Sequence, residues 1–315
     1  MHAVTSVDHA PDRSVLTGIE RYYDAVPRSA ATAEDFGPLT LFVRSGSTGW
    51  HYYARPTPGH DGPAATAEDV RRVLERQREL GVPEAFEWVA EQNPELRAAV
   101  EAAGLTVHEH PLLVLGPQDE AAPAPALPER VEVRVLTADA PELADAVAVP
   151  HVAFGNPGTA TGSAGAAELA ASKAELTAGG GVARIARRIT DGVSALAAAL
   201  DGDEVLCAGQ HNPVGAVTEV VGVGTLPSAR RRGLGLAVTA ALVAHARANG
   251  VRTVFLSAAD EDVARIYRRA GFRPFATALI AEPPTPGATP DTAPDAAPNA
   301  AASADASPED PNAEA

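Results

Sequence analysis

Val217–Gly250 reads VTEVVGVGTLPSARRRGLGLAVTAALVAHARANG: a β-branched run, a turn rich in Gly and Arg, and an apolar stretch with helical spacing. Strand, loop and helix follow without a break. Within the loop, Arg230, Arg231, Arg232, Gly233, Leu234 and Gly235 place glycines where backbone can approach a ligand and aim successive N–H groups one way. The helix beginning beside them adds the positive end of its dipole. Such a turn suits a pyrophosphate, and the arginines supply cations in an otherwise acidic chain. It is not a Walker loop, because Gly-Lys-Ser/Thr is missing. GVGTLP at 222–227 also breaks the dinucleotide fingerprint, with Pro227 at its third glycine position. Taken alone, the pattern equally fits an exposed basic turn ahead of a helix.

Around this segment the second half reads as alternating strands and helices. Val131, Val133 and Val135 alternate in an opening strand, helices follow at 141–149, 166–176 and 183–189, and strands at VSALAAAL, EVLCAG and VTEVVGVGTL. After the helix at 234–249 come a strand TVFLSA from Thr253, a helix at 260–270 and a last strand PFATALIA. The first 116 residues predict a helix near Val15–Tyr23 and a hairpin of LTLFVR and WHYYAR around SGSTG. A helix at 67–80, a strand EAFEWV, a helix at 94–103 and a strand TVHEHPLLVL complete that half. Gly81–Leu105 and Gly250–Phe272 repeat one plan, a helix ending in Gly-Val, a strand, a helix and Ala-Gly-apolar, which predicts an internal duplication.

These residues resemble the GCN5-related N-acetyltransferase (GNAT) superfamily over about 131–282. The likeness rests on Arg230-x-x-Gly233-x-Gly235 between strand and helix, the following strand TVFLSA, and ARIYRRAGF at 264–272. It implies an α/β (α+β) fold, a mixed twisted β-sheet flanked by helices, opened between VTEVVGVGTL and TVFLSA to admit acetyl-CoA. On this resemblance, main-chain groups near Val223, Gly224 and Thr225 pair with the pantetheine arm, and amides from Arg231 to Leu236 take the pyrophosphate. Glu219, 11 residues before Arg230, matches the glutamate base of the histone-acetylating branch. Its neighbours Thr218, Val220 and Val221 predict partial desolvation, which raises a carboxylate's pKa. Tyr267, four residues before Gly271, occupies the place of the general acid that protonates the departing sulfur. The Asn often found seven residues before that tyrosine is Asp260 here. The implied reaction is direct attack of an amine on acetyl-CoA in a ternary complex; the alternative is a non-catalytic acyl-CoA-binding or scaffold protein.

The first half reads as a degenerate copy. Val100 stands where Tyr267 would be. The loop RPTPGHDGPAATAED carries prolines where amides should donate, and brings Asp61, Glu68 and Asp69 towards any phosphate. The expected division is a degenerate GNAT-like domain at 1–116, a stiff Pro/Ala-rich linker at 117–130, a catalytic domain at 131–282, and a disordered acidic tail at 283–315. Tail and linker are expected to bury no face.

Composition narrows the partners. A formal charge of −16 disfavours nucleic acid, although seven carboxylates and no Lys or Arg lie at 282–315, leaving −9 elsewhere. No apolar run approaches the ~20 residues that span a bilayer, and the first residues lack a signal-peptide pattern, so a cytoplasmic protein without membrane contact is expected. A small-molecule or peptide amine is the expected partner. One cysteine, Cys207, excludes an internal disulfide and reads as a buried inert thiol. His108 and His110 alternate on what reads as an exposed strand edge, with no further ligands in reach, so no metal is expected. His211 reads as a solvated turn residue that could reach an acceptor.

Overall fold

A computed structural model describes residues 11–44 and 52–284; the predicted acidic tail beyond 284 and the hairpin turn lie outside them. The first half runs α1 (Arg13–Arg28), β1 (Ala31–Asp35), β2 (Leu39–Arg44), β3 (Arg55–Pro56), α2 (Ala67–Glu79), β4 (Phe86–Val89), α3 (Leu96–Ala102) and β5 (Thr106–Leu115). The second runs β6 (Val131–Leu136), α4 (Leu143–Phe154), α5 (Ala166–Ala178), α6 (Gly181–Thr190), β7 (Ala195–Asp201), β8 (Glu204–Val214), β9 (Val217–Thr225), α7 (Leu234–Ala248), β10 (Thr253–Ser257), α8 (Glu261–Arg268) and β11 (Arg273–Glu282).

The repeat seen in sequence has a counterpart in backbone geometry. Gly81 and Gly250 close α2 and α7, Gly104 and Gly271 follow α3 and α8, and all four have positive φ. Beyond that likeness the two halves are interleaved. The main sheet has the order β4-β11-β5-β10-β9-β8-β7-β6. β11, the last strand of the chain, lies between β4 and β5, while β5 lies between β10 and β11. Each half therefore receives the other's closing strand.

This exchange is cemented by burial. Leu113 and Leu115 of β5 are fully buried in the core of the second half, and Leu279 and Ala281 of β11 in that of the first. At about 1.5–3 kcal/mol for each buried leucine, neither core is complete without the other. α1 lies across the centre of the sheet, where Ile19, Tyr22 and Tyr23 pack with Val89, Leu112, Val114 and Phe255.

Two sequence expectations are corrected here. His108 and His110 are not on an exposed edge, because β5 is paired on both sides. His110 is buried and its Nδ1 lies 3.1 Å from the carbonyl of Ala259; burial lowers its pKa. The stretch 117–130 is coil, but it packs. Leu127 lies against the second core, the Ala122 amide donates to the Ala270 carbonyl at 3.0 Å, and Arg273 bonds Asp119 at 3.1 Å. Leu127, the Ala122 amide and the Asp119 carboxylate together dock a proline-rich segment whose composition predicts no contact.

Candidate active site

β9 and β10 are parallel, and their pairing stops early. It covers Thr253↔Val217, Val254↔Thr218 and Phe255↔Glu219, after which β9 runs on to Thr225 against β8 alone. A bulge at Gly222, where β8 spends two residues against three of β9, bends the strand away. The sheet therefore opens beside Val220–Thr225, between the two strands where the family resemblance implies an opening.

At its end the chain turns through a short 3₁₀ segment, Pro227–Ala229, and then adopts left-handed backbone twice, at Arg231 (φ 67°) and Gly233 (φ 78°). Alternation of this kind turns neighbouring amides towards one point. Gly233 is the N-cap of α7; among the described residues no side-chain hydrogen bond caps that helix start, and its first turn holds no acid. Arg231 and Arg232 are exposed, Arg232 lying 3.8 Å from Asp201. Arg230 has other partners. Its guanidinium donates to the carbonyls of Ala153 at 3.0 Å, Ala160 at 3.1 Å and Asn156, so it pins the end of α4 to the loop. Gly224 is required by packing: a Cβ there would lie 2.8 Å from Pro150 Cα and 2.9 Å from Ala153 Cβ. Gly235 has ordinary room, with Thr225 and Val223 at 3.7 Å, and Leu234 and Leu236 are buried in the core.

The two candidate proton-transfer groups lie on different sides of the sheet. Tyr267 of α8 packs with the core beneath α7, its ring 6.3 Å from that of Phe272. Burial, with the nearby Cys207 thiol, pushes its phenol pKa above the ordinary value, so it stays protonated. Cys207 is fully buried, accepts a hydrogen bond from Thr225 Oγ1 at 3.2 Å, and has its pKa pushed up to about 12 by burial. It is the inert thiol that its apolar neighbours suggest. Glu219 faces α1 and is completely buried, beyond the partial desolvation expected. The Tyr23 hydroxyl donates to its Oε1 at 3.2 Å.

Tyr23 is the residue that sequence could not find, since 196 positions separate it from Glu219. The Arg55 guanidinium stacks on its ring at 4.2 Å and pairs with buried Glu87. His211 also departs from expectation. It lies within β8, 1% exposed, with Nδ1 at 3.0 Å from Thr218 Oγ1 and Nε2 at 3.0 Å from His245 Nδ1. β8 continues five residues past EVLCAG, because Gln210–Val214 all find partners on β9. Burial and His245 lower the His211 pKa to about 4. Asp260, where family members often carry Asn, caps α8 by accepting from the Val263 amide at 2.8 Å.

A model of the Acetyltransferase (GNAT) family matches residues 181–272, which contain the opening, the loop, α7 and Tyr267. The chain carries a GNAT domain. Mycothiol acetyltransferase of Cellulomonas flavigena is 41% identical over 86 residues, 25% of this chain; the matched part spans only a quarter of that relative. Among solved structures, a GCN5-related N-acetyltransferase from Kribbella flavida superposes with a TM-score of 0.62 at 23% identity, covering 86% of this chain and 96% of its own. A tandem GNAT protein from the clavulanic acid biosynthesis pathway superposes at 0.50 and 13% identity, covering 87% and 96%. Both share the fold. The GNAT fold here is a mixed sheet flanked by helices, and the two-part architecture of the tandem neighbour fits the interleaved halves. Acetyl transfer is the activity of the GNAT family and acetyl-CoA its general donor. Among the described residues no group of three or more His, Cys, Asp or Glu could hold a metal ion, and no helix is long and apolar enough to cross a membrane.

Proposed function

We propose that this protein is an N-acetyltransferase that moves an acetyl group from acetyl-CoA to an amine by direct attack in a ternary complex. The observation that carries the reading is the β9–α7 segment: a strand edge released from β10, two left-handed residues, and a helix end that no side chain caps. These features fit acetyl-CoA. Main-chain groups of Val223, Gly224 and Thr225 would hold the pantetheine arm as a neighbouring strand does, and amides from Arg231 to Leu236 would hold the pyrophosphate. Arg230 would act by fixing the loop rather than by touching phosphate.

Bound acetyl-CoA supplies an activated thioester. An alkylammonium of pKa ~10.4 is neutral in only about one part in 10³ to 10⁴ at pH 7, so the amine needs a base. Glu219 fills that role in this reading. Because its carboxylate has no contact with solvent, the proton reaches it through a hydrogen-bonded carrier. The Tyr23 hydroxyl can pass its own proton to Oε1 as it takes one from the amine side. Tyr267, kept protonated by burial, gives its proton to the departing sulfur.

The first half, 1–116, then acts as a degenerate GNAT-like unit that no longer binds the donor but supplies α1 and Tyr23. Residues 131–282 form the catalytic unit, with 117–130 between them. The test is thiol release from acetyl-CoA with a panel of amines, comparing the native chain with Tyr267→Phe. Acceptor-dependent release that this change suppresses supports the reading. Tight acetyl-CoA binding without acceptor-dependent release would make the protein an acyl-CoA-binding module.

A further inference from the structure

On the face of the sheet covered by α1, a group of arginines stands near Glu219. Arg184 and Arg188 are four residues apart on α6 and share one side of that helix. Arg188 is anchored. Its Nε donates to Ser194 Oγ at 3.0 Å, and its Nη2 to the Val193 carbonyl at 3.2 Å and to Asn212 Oδ1 at 3.3 Å. Asn212 lies directly opposite Glu219 in the β8–β9 register. Arg55 stacks on the ring of Tyr23, whose hydroxyl donates to Glu219, so Arg188 and Arg55 are each linked to the candidate base through one intervening residue.

Arg184 is different. Its Nε is buried and makes no hydrogen bond. Among the described residues the cations acting on it are Arg188 and Arg44, both repulsive, while the Tyr52 phenol acts in the opposite sense. Burial and these two cations lower its pKa. Among the described residues neither Arg184 nor Arg188 forms an ion pair with a carboxylate, in a chain with 41 acidic residues. Holding like charges together in a half-buried site is costly unless an anion completes the cluster. Guanidinium groups are shaped to bind a carboxylate or phosphate through paired N–H donors.

Resting on the acetyl-transfer reading above, we propose that the acceptor amine also carries an acid group, a carboxylate or a phosphate. Arg184 and Arg188 bind that group while the amine faces Glu219. The net negative charge of the chain would suggest a cationic acceptor; the local cluster selects a zwitterionic or anionic one instead.

Matched acceptors test this on the native chain. Thiol release is measured with amino acids against their amides, and with glucosamine 6-phosphate against glucosamine; the first pair reads carboxylate and the second phosphate. The acid-bearing member of at least one pair should have a kcat/KM at least tenfold higher. Arg184→Gln should abolish that preference through KM, leave the neutral member unchanged, and bind acetyl-CoA as before by calorimetry. Equal or better turnover of both neutral members would overturn the proposal. If no amine is turned over, the acetyl-transfer reading fails separately. N-acetylated amino acids and N-acetylglucosamine 6-phosphate are then titrated against thermal unfolding. A rise in melting temperature in the native chain that Arg184→Gln loses supports the acid-binding site, and no rise overturns it.

Discussion

β3 and α2 in the first half repeat the placement of β9 and α7 in the second, yet their helix ends differ. Ala54 forms one parallel bridge to Phe86, as β9 pairs briefly with β10, and the chain then leaves for a helix in both places. α2 closes its own end. Thr66 Oγ1 accepts from the Asp69 amide at 3.3 Å, the Asp69 carboxylate accepts from the Thr66 amide at 2.9 Å, and Glu68 adds a second negative charge. α7 begins at a left-handed glycine with its amides unclaimed by side chains. The cleft beside β3 and β4 is lined by Glu20, Asp24 and Glu87, with Arg55 as its one cationic lining residue. One topology thus yields a helix start that its own side chains close and one that, among the described residues, they leave open. The difference lies in a few loop residues rather than in the fold.

The comparison can be broken most sharply at Tyr267, whose counterpart is Val100. Tyr267→Phe should lower kcat by roughly 10²-fold or more, the usual worth of a general acid, with acetyl-CoA affinity unchanged; an equal loss of affinity would make the tyrosine a packing residue. Next comes the loop. Gly233→Val forces a β-branched side chain to a φ of 78° beside Pro125. Losing two amide–phosphate bonds at about 1.5 kcal/mol each weakens acetyl-CoA binding about 100-fold in calorimetry. Tyr23→Phe, a change in the half without a donor site, should reduce kcat about tenfold while the KM for acetyl-CoA stays put. An unaltered kcat would detach the first half from the chemistry.

Acid stability gives a further contrast between the buried histidines. The folded pKa of His211, about 4, lies below the ordinary 6.5. Above pH 6.5 both folded and unfolded forms are neutral there. As pH falls from 6.5 towards 4, the unfolded chain binds the proton first, and stability declines by up to about 1.4 kcal/mol per pH unit. His211→Gln should flatten this decline in chemical denaturation between those pH values. The smallest effect is expected at α2. Thr66→Ala removes the capping box, costs about 1 kcal/mol of stability and leaves acetyl-CoA affinity untouched.

Much of this site was legible along the chain because its parts are contiguous. Glu219, the strand edge, the turn and α7 fall within Val217–Ala248; hydrophobic period and glycine placement locate strand, turn and helix, and the family resemblance singles out Glu219. His211 was misplaced because NPVG looks like a turn, whereas pairing with β9 holds it in a strand. Tyr23, Arg184 and Arg188 carried no signal. A tyrosine on an amphipathic helix and arginines four residues apart are ordinary surface patterns until another segment covers them.

The sequence by itself determined the order of elements in the second half, the turn rich in glycine and arginine and the absence of that pattern from the first half, since these depend on backbone preferences and charges near in the chain. Only the tertiary structure decided that the halves exchange their closing strands and that α1 brings Tyr23 onto Glu219. Those facts depend on which apolar faces find each other across about 200 residues, and periodicity reports that a face is apolar without naming its partner.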